Sequence, residues 1–247
     1  MLTIVLSATN AMNKWLKLDL PRIPSPDGKR IGTQPLVTDN QQLSWQCHVV
    51  PNGYRSRKHT VIVTEAYSRY TLLLPYTLTP TVEAFEKDFL ERFEFEIQQL
   101  MLESGALELP QLASVKQQFD AQKKTLKWFR NTDMSVNGHV VDAEQWLRQM
   151  LDDNGTSYLR EKDALGLGDL INKQRKRAKQ GQSSMQRFYP VARLLDDALY
   201  RFASGLADGL YPGTPVGDFP NPYPDRKEPR APSSSRDNVV YMADFRK

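Results

Sequence analysis

"RSRKHTVIVTEAYSRYTLLLPY", residues 55–76, decides the fold. Val61 and Val63 alternate with Thr60, Ile62 and Thr64, and Tyr70, Leu72, Leu74 and Tyr76 alternate with Arg69, Thr71 and Leu73. A period of two over adjoining runs marks paired β-strands, because successive side chains of a strand point to opposite faces of the sheet. The basic opening raises a second question. Arg55, Arg57 and Lys58 either grip a phosphate backbone or form the solvated end of a hairpin.

Working outward, "LSWQCHVV" (43–50) sets Leu43, Trp45, Cys47 and Val49 against Ser44, Gln46 and His48. "PNGY" (51–54) is turn chemistry, so the three runs form an antiparallel meander. "LTIVLSA" (2–8) adds a short buried strand, with Thr9 as N-cap of a helix through Lys17 and a loop over Pro21–Asn40. Thr79 caps a long helix with Pro80 at its first position, running to Glu103 and stopping at Gly105. Phe85, Phe89, Phe93, Ile97, Leu100 and Met101 are its core stripe. "QKKTLKWFRN" (122–131) is a further strand. "NTDMSVNGHVVDAEQWLRQML" (131–151) is a second long helix burying Val140, Val141, Trp146, Leu147 and Met150, and Gly138 delays its start to about Val140. A short helix between Asn154 and Gly168 and a last one from Pro190 to near Gly205 complete the domain.

The expected fold is α+β: an antiparallel sheet of four or five strands packed against two or three helices. Residues 1–208 form one domain. Residues 209–247, dense in Pro, Gly and Ser, form an extended C-terminal arm that orders by docking, with 211–247 contacting a protein partner or a second copy.

Composition narrows the function classes. A hydrophobic share of 40% over 247 residues supplies a core, and no run of about 18 apolar residues exists to span a membrane. "MLTIVLSATNAMNKW" lacks a basic segment ahead of its apolar residues, so it reads as a strand and not as a signal peptide. The single cysteine, Cys47, excludes an internal disulfide and fits a reducing, cytoplasmic setting. His48, His59 and His139 lack metal-ligand spacing, and neither a phosphate-cradling glycine loop nor a G-x-S-x-G elbow occurs. Metal, cofactor and catalytic nucleophile are therefore all expected to be absent, and the chain is expected to bind more than to react.

Charge is separated along the sequence. Eight acids (Glu83, Glu86, Asp88, Glu91, Glu94, Glu96, Glu103, Glu108) fall within 83–108, where they read as the solvated face of the long helix. Seven bases (Lys173, Arg175, Lys176, Arg177, Lys179, Arg187, Arg193) and no acid fall within 172–193. That density needs water or phosphate nearby, and Phe188 and Tyr189 follow at once as stacking candidates. The expected nucleic-acid surface joins Arg55, Arg57 and Lys58 to Lys173, Arg175, Lys176, Arg177, Lys179 and Arg187, the second group lying in a loop. Lys123, Lys124, Lys127 and Arg130, interleaved with Trp128 and Phe129, form a lesser cluster. Two alternatives compete. One is a metal-independent nuclease or toxin using His59, Arg57, Glu65 and Tyr70, in which the imidazole takes the 2'-hydroxyl proton and the guanidinium steadies the phosphorane. The other is an antitoxin-like protein partner that binds no nucleic acid.

The order of segments resembles the bacterial domain of unknown function 6933 family over residues 1 to about 200. The likeness rests on the opening strand and helix, "LSWQCHVV", the Arg-rich turn into "RSRKHTVIVTEAYSRYTLLL", the Asn-led "RNTDMSVNGHVVDAEQWL" and the closing "LINKQRKRAKQGQSSMQRFYPVARL". It implies a bacterial cytosolic α+β protein of the kind carried in mobile or defence-linked gene clusters. The family has no established activity, so no catalytic residue carries over. The basic insertion around Arg175–Gln182 and the tail after Leu210 depart from the family's plan, which places any specialised function there.

Overall fold

The computed structural model describes residues 1–23, 25, 31–179, 185–206 and 222. The arm expected over 209–247 lies outside the described residues apart from Pro222.

The fold is α+β. Strands β1 (Leu2–Ala8), β2 (Gln42–Pro51), β3 (His59–Glu65), β4 (Thr71–Tyr76) and β5 (Lys124–Arg130) form one sheet in the order β4-β3-β2-β1-β5. The meander is as expected, with β2–β3 and β3–β4 both antiparallel. The sheet as a whole is mixed, because β1 runs parallel to both of its neighbours, β2 and β5. Parallel neighbours need a crossover, and helix α1 (Asn10–Trp15) with the loop after it carries the chain from β1 back to the start of β2. As a central strand β1 is covered twice: Leu2, Ile4, Leu6 and Ala8 are buried toward one face and Val5 and Ser7 toward the other. Burial on both sides explains why "LTIVLSA" is nearly continuous in apolar character instead of alternating.

Helices cover both faces. On the first lie α1, α2 (Val82–Glu103), α3 (Leu112–Ala121) and α6 (Pro190–Phe202); on the second lie α4 (Met134–Asp153) and α5 (Glu161–Asn172). The two long helices thus sit on opposite sides of the sheet. Trp45 anchors the larger core, edge-on to Phe89 at 5.3 Å and Phe93 at 5.2 Å, and Phe93 passes the contact to Phe119 and Phe202. Each such side chain contributes roughly 1.5–3 kcal/mol on burial.

Two helix starts differ from the sequence reading for local reasons. The Thr81 hydroxyl, not that of Thr79, accepts from the Ala84 N–H at 3.2 Å and fixes the start of α2, while Gly105 (φ +70°) ends it in the left-handed conformation glycine tolerates. Asp133 accepts from the Ser135 N–H at 2.8 Å and starts α4 six residues ahead of Val140, so Gly138 is carried inside the helix. The buried stripe of α4 is Val136, Val140, Ala143, Leu147 and Leu151, which leaves Val141 and Trp146 each 41% exposed. The sequence reading had buried both. Helix α3 has no counterpart in that reading, although Val115 and Phe119 stand one helical turn apart and are both buried. Among the described residues no helix is long and apolar enough to cross a membrane.

The outer edge of β4 is closed by side-chain chemistry. Asn172, the last residue of α5 and fully buried, accepts from the Thr71 N–H at 2.7 Å and donates to the Thr71 carbonyl at 2.9 Å. A carboxamide thus takes the place of a sixth strand, and Pro75 removes a further edge donor. Asn172→Ala strands both Thr71 groups in a buried setting. It is expected to cost about 2–4 kcal/mol in denaturant unfolding; a loss below about 0.5 kcal/mol would show that the edge is held by something else.

Candidate functional site

Directly after the clamp the chain forms a feature the sequence reading took for a loop. Residues Lys176–Lys179 (β6) and Met185–Phe188 (β7) pair antiparallel as a separate two-stranded ribbon. The register sets Lys176 against Phe188, Arg177 against Arg187, Ala178 against Gln186 and Lys179 against Met185.

Alternation gives the ribbon two unlike faces. Lys176, Ala178 and Phe188 are buried on the inner one. There Lys176 approaches Asp142 at 3.6 Å, and Arg193 of α6 lies 3.5 Å over the Phe188 ring. The same guanidinium sits 4.9 Å over Tyr67 and donates to the Tyr67 carbonyl at 3.1 Å and to Gln186 Oε1 at 3.0 Å. Arg193 therefore pins the ribbon's inner face to the β3–β4 turn. The Tyr67 hydroxyl also donates to the Pro222 carbonyl at 3.2 Å, the one described contact of the C-terminal segment.

Below the ribbon lies a second layer of polar groups. Arg69, with φ +61° and 5% exposed, donates to Ser135 Oγ at 3.1 Å, while among the described residues its Nε and Nη1 have no hydrogen-bond partner. Burial pulls its pKa down against the opposing pull of Asp133 and Glu65. Both carboxylates have structural duties. Glu65 accepts from Thr38 Oγ1 and from the N–H groups of Tyr67 and Ser68, closing the β3–β4 turn. Asp133 accepts from Leu36 N–H and Ser135 N–H, and its own N–H donates to Gln46 Oε1 at 2.7 Å. One turn into α4, burial and the cations Arg69 and Lys176 lower the His139 pKa to about 4, with Asp142 opposing.

The outer face is a row of exposed groups. Arg177 and Arg187 stand opposite each other, and Arg175, Met185 and Tyr189 flank them, all exposed. Among the described residues Arg175, Arg177 and Arg187 have no ion-pair partner. The side chain of Lys179 lies outside the described residues. Lys173, by contrast, is already neutralised by Asp169 at 2.7 Å and Glu103 at 3.7 Å.

The remaining members of the expected surface do not join this row. Arg55, Arg57 and Lys58 occupy the β2–β3 turn, next to the Pro51–His59 pair, whereas the ribbon leaves from Thr71, next to Thr64. The two ends are separated by the length of β3, about 20 Å. The turn is occupied with itself: Arg55 lies 5.0 Å from the Tyr54 ring, Lys58 lies 4.8 Å from Tyr158, and the Lys58 N–H donates to Ser56 Oγ at 3.1 Å. One continuous basic surface is therefore not formed. The lesser cluster lies along β5, an edge strand whose Arg130 forms an isolated parallel bridge with Arg22, and its Trp128 donates to Glu86 at 2.7 Å.

The nuclease set is not assembled either. His59 and Glu65 stand at opposite ends of β3, the His59 ring bonds the Arg57 carbonyl at 2.9 Å, and Tyr70 points into the first core to donate to Glu96 at 2.5 Å. Sequence reasoning missed a different array. Thr9 Oγ1 lies 2.9 Å from His48 Nδ1, and His48 Nε2 lies 3.8 Å from Glu144. It has the order of nucleophile, base and acid, but Thr9 is 5% exposed and also caps α1 by accepting from the Met12 N–H. Its geometry is that of a clamp between β1, β2 and α4. Among the described residues no group of His, Cys, Asp and Glu could hold a metal ion. Burial raises the Cys47 thiol far above its ordinary pKa, which leaves it inert.

A groove of about 490 Å³ runs between α2 and α5 and is lined by Asp88, Glu91, Arg92, Phe95 and Glu161 among others. Next to it the buried Glu96 is pushed up in pKa by desolvation, with Tyr70 and Arg92 opposing. The groove's three carboxylates against one guanidinium give it a charge opposite in sign to that of the ribbon.

The chain matches no family model, no curated protein and no solved structure.

His139 makes the ribbon's support pH-sensitive. A folded-state pKa near 4, below the ordinary 6.5, means that stability is complete above 6.5 and is lost as pH falls toward 4. Between pH 7 and pH 5 the loss should be about 2 kcal/mol, and His139→Gln should remove that part of the slope in denaturant titrations at the two pH values. Equal slopes for the two proteins would show that His139 is freely protonated in the fold.

Proposed function

We propose that the protein is a nucleic-acid-binding protein that holds phosphates on the outer face of the β6–β7 ribbon, without catalysing a reaction. The observation that carries this reading is the Arg177–Arg187 pair. Like charges directly opposite each other on a ribbon are destabilising. Here the pair is exposed, flanked by Arg175, and free of any described carboxylate. A polyanion relieves that repulsion, and a two-stranded ribbon presents its cations in a row suited to a phosphate backbone. The nearest acids of α2 and α5, Glu103 and Asp169, are taken up by Lys173, and Arg175, Arg177 and Arg187 are left without a described carboxylate. The scarcity of reactive groups favours binding over chemistry.

The reading is tested by fluorescence anisotropy of a labelled oligonucleotide over a range of salt concentrations. Binding is expected at low salt and should weaken steeply as salt rises. Replacing Arg175, Arg177 and Arg187 together with alanine should lower affinity and flatten the logarithmic salt slope by about one unit per lost phosphate contact. The variant Arg55→Ala/Arg57→Ala/Lys58→Ala, at the far end of β3, should bind as the parent does. A parent protein that binds no oligonucleotide at low salt, yet co-purifies with one protein, would favour the antitoxin-like alternative.

A further inference from the structure

We infer that the ribbon takes single-stranded nucleic acid in preference to duplex, with Tyr189 as the platform on which a base stacks. The inference rests on the phosphate-binding reading above and adds the form of the ligand.

Three features of the ribbon carry it. The first is the division of its aromatics. Phe188 is buried beneath the Arg193 guanidinium at 3.5 Å, so it cannot meet a ligand, whereas Tyr189 is 49% exposed. Among the described residues the Tyr189 ring has no aromatic or cationic neighbour and its hydroxyl no hydrogen-bond partner. An aromatic face left open beside unpaired arginines is the composition of a stacking site and not of a core.

The second feature is register. Met185, Arg187 and Tyr189 fall on one face by alternation, as do Arg175 and Arg177. Since Lys176 pairs with Phe188, the next position sets Arg175 beside Tyr189, one step from the Arg177–Arg187 pair. Phosphate donors and a stacking surface are thereby adjacent along one line, and Met185, 56% exposed, extends the apolar surface at the other end. A duplex keeps its bases stacked inward and could use only the arginines. A single strand can use the arginines and the ring together.

The third feature is rigidity. Tyr189 precedes Pro190, which confines it to extended backbone, and it has φ −106° and ψ 126° at the junction of β7 and α6. With Phe188 held by Arg193 on one side and α6 beginning on the other, the platform is set before ligand arrives. Little conformational freedom is then lost on binding.

The test compares a fluorescein-labelled oligothymidylate with a blunt duplex of mixed sequence and equal length, at one moderate salt concentration. The single strand is expected to bind at least about tenfold more tightly. Tyr189→Ala should remove about that factor for the single strand, leave duplex affinity and the salt slope unchanged, and keep the parent melting temperature; Tyr189→Phe should retain parent binding. Equal affinity for both forms, or a Tyr189→Ala variant that binds the single strand as the parent does, overturns the inference. If in that case the arginine variant still loses affinity, phosphate binding stands and only the preference falls. If the parent binds neither form, both fall.

Discussion

The carboxamide of Asn172 closes on both backbone groups of Thr71, and the β6–β7 ribbon leaves the sheet from that contact. The clamp does two jobs at once. It satisfies the first residue of the outermost strand, which would otherwise be a buried edge with an unpaired N–H and C=O. It also ends α5 at one end of the sheet, so the chain that follows must leave beside the β3–β4 turn. The ribbon forms there and Arg193 fastens its inner face to Tyr67. A fold whose β4 edge was covered by another strand would have sent the basic segment elsewhere.

Separation of charge follows from this geometry. Acids of α2 and α5 line the groove along β4, and its Arg92 pairs at 3.4 Å with Glu96 beside it. Arg175, Arg177 and Arg187 stand outward on the ribbon. A polyanion meets attraction at the ribbon and repulsion at the acidic groove, which helps to orient the encounter before contact. The same separation explains why the bases below the ribbon have acids and those on top do not. Lys176 has Asp142, and Arg69 faces Asp133 and Glu65, because buried cations must be compensated, whereas Arg175, Arg177 and Arg187 are in water.

Much of the fold was legible, and the failures share a cause. The meander from Leu43 to Tyr76 was readable because apolar residues alternate with polar ones such as Ser44, Gln46, Thr60, Thr64 and Thr71, although both faces are largely buried. The parallel placement of β1 was not, since pairing direction depends on the crossover and leaves no period in a seven-residue strand. The apolar stripe of α4 was misjudged at Val141 and Trp146 because hydrophobicity alone cannot choose between neighbouring positions on a helix. Glu96 was counted among solvated acids, yet it is 7% exposed and bonded to Tyr70, a partner 26 residues away that no local pattern announces. The basic run was recognised as the distinctive segment, but its lack of apolar alternation concealed a ribbon whose buried positions are Lys176, Ala178 and Phe188. Whether Arg55–Lys58 would join it depended on strand direction, and the sheet places the two groups at opposite ends of β3.

Hydrogen–deuterium exchange of the protein with and without an oligothymidylate tests the central claim most directly, since it reports both basic ends of the sheet in one experiment. Slowed exchange is expected only in the ribbon and the start of α6, residues 175–192, with the 52–58 turn unchanged. Protection centred on residues 52–58, or none anywhere at low salt, would contradict the claim.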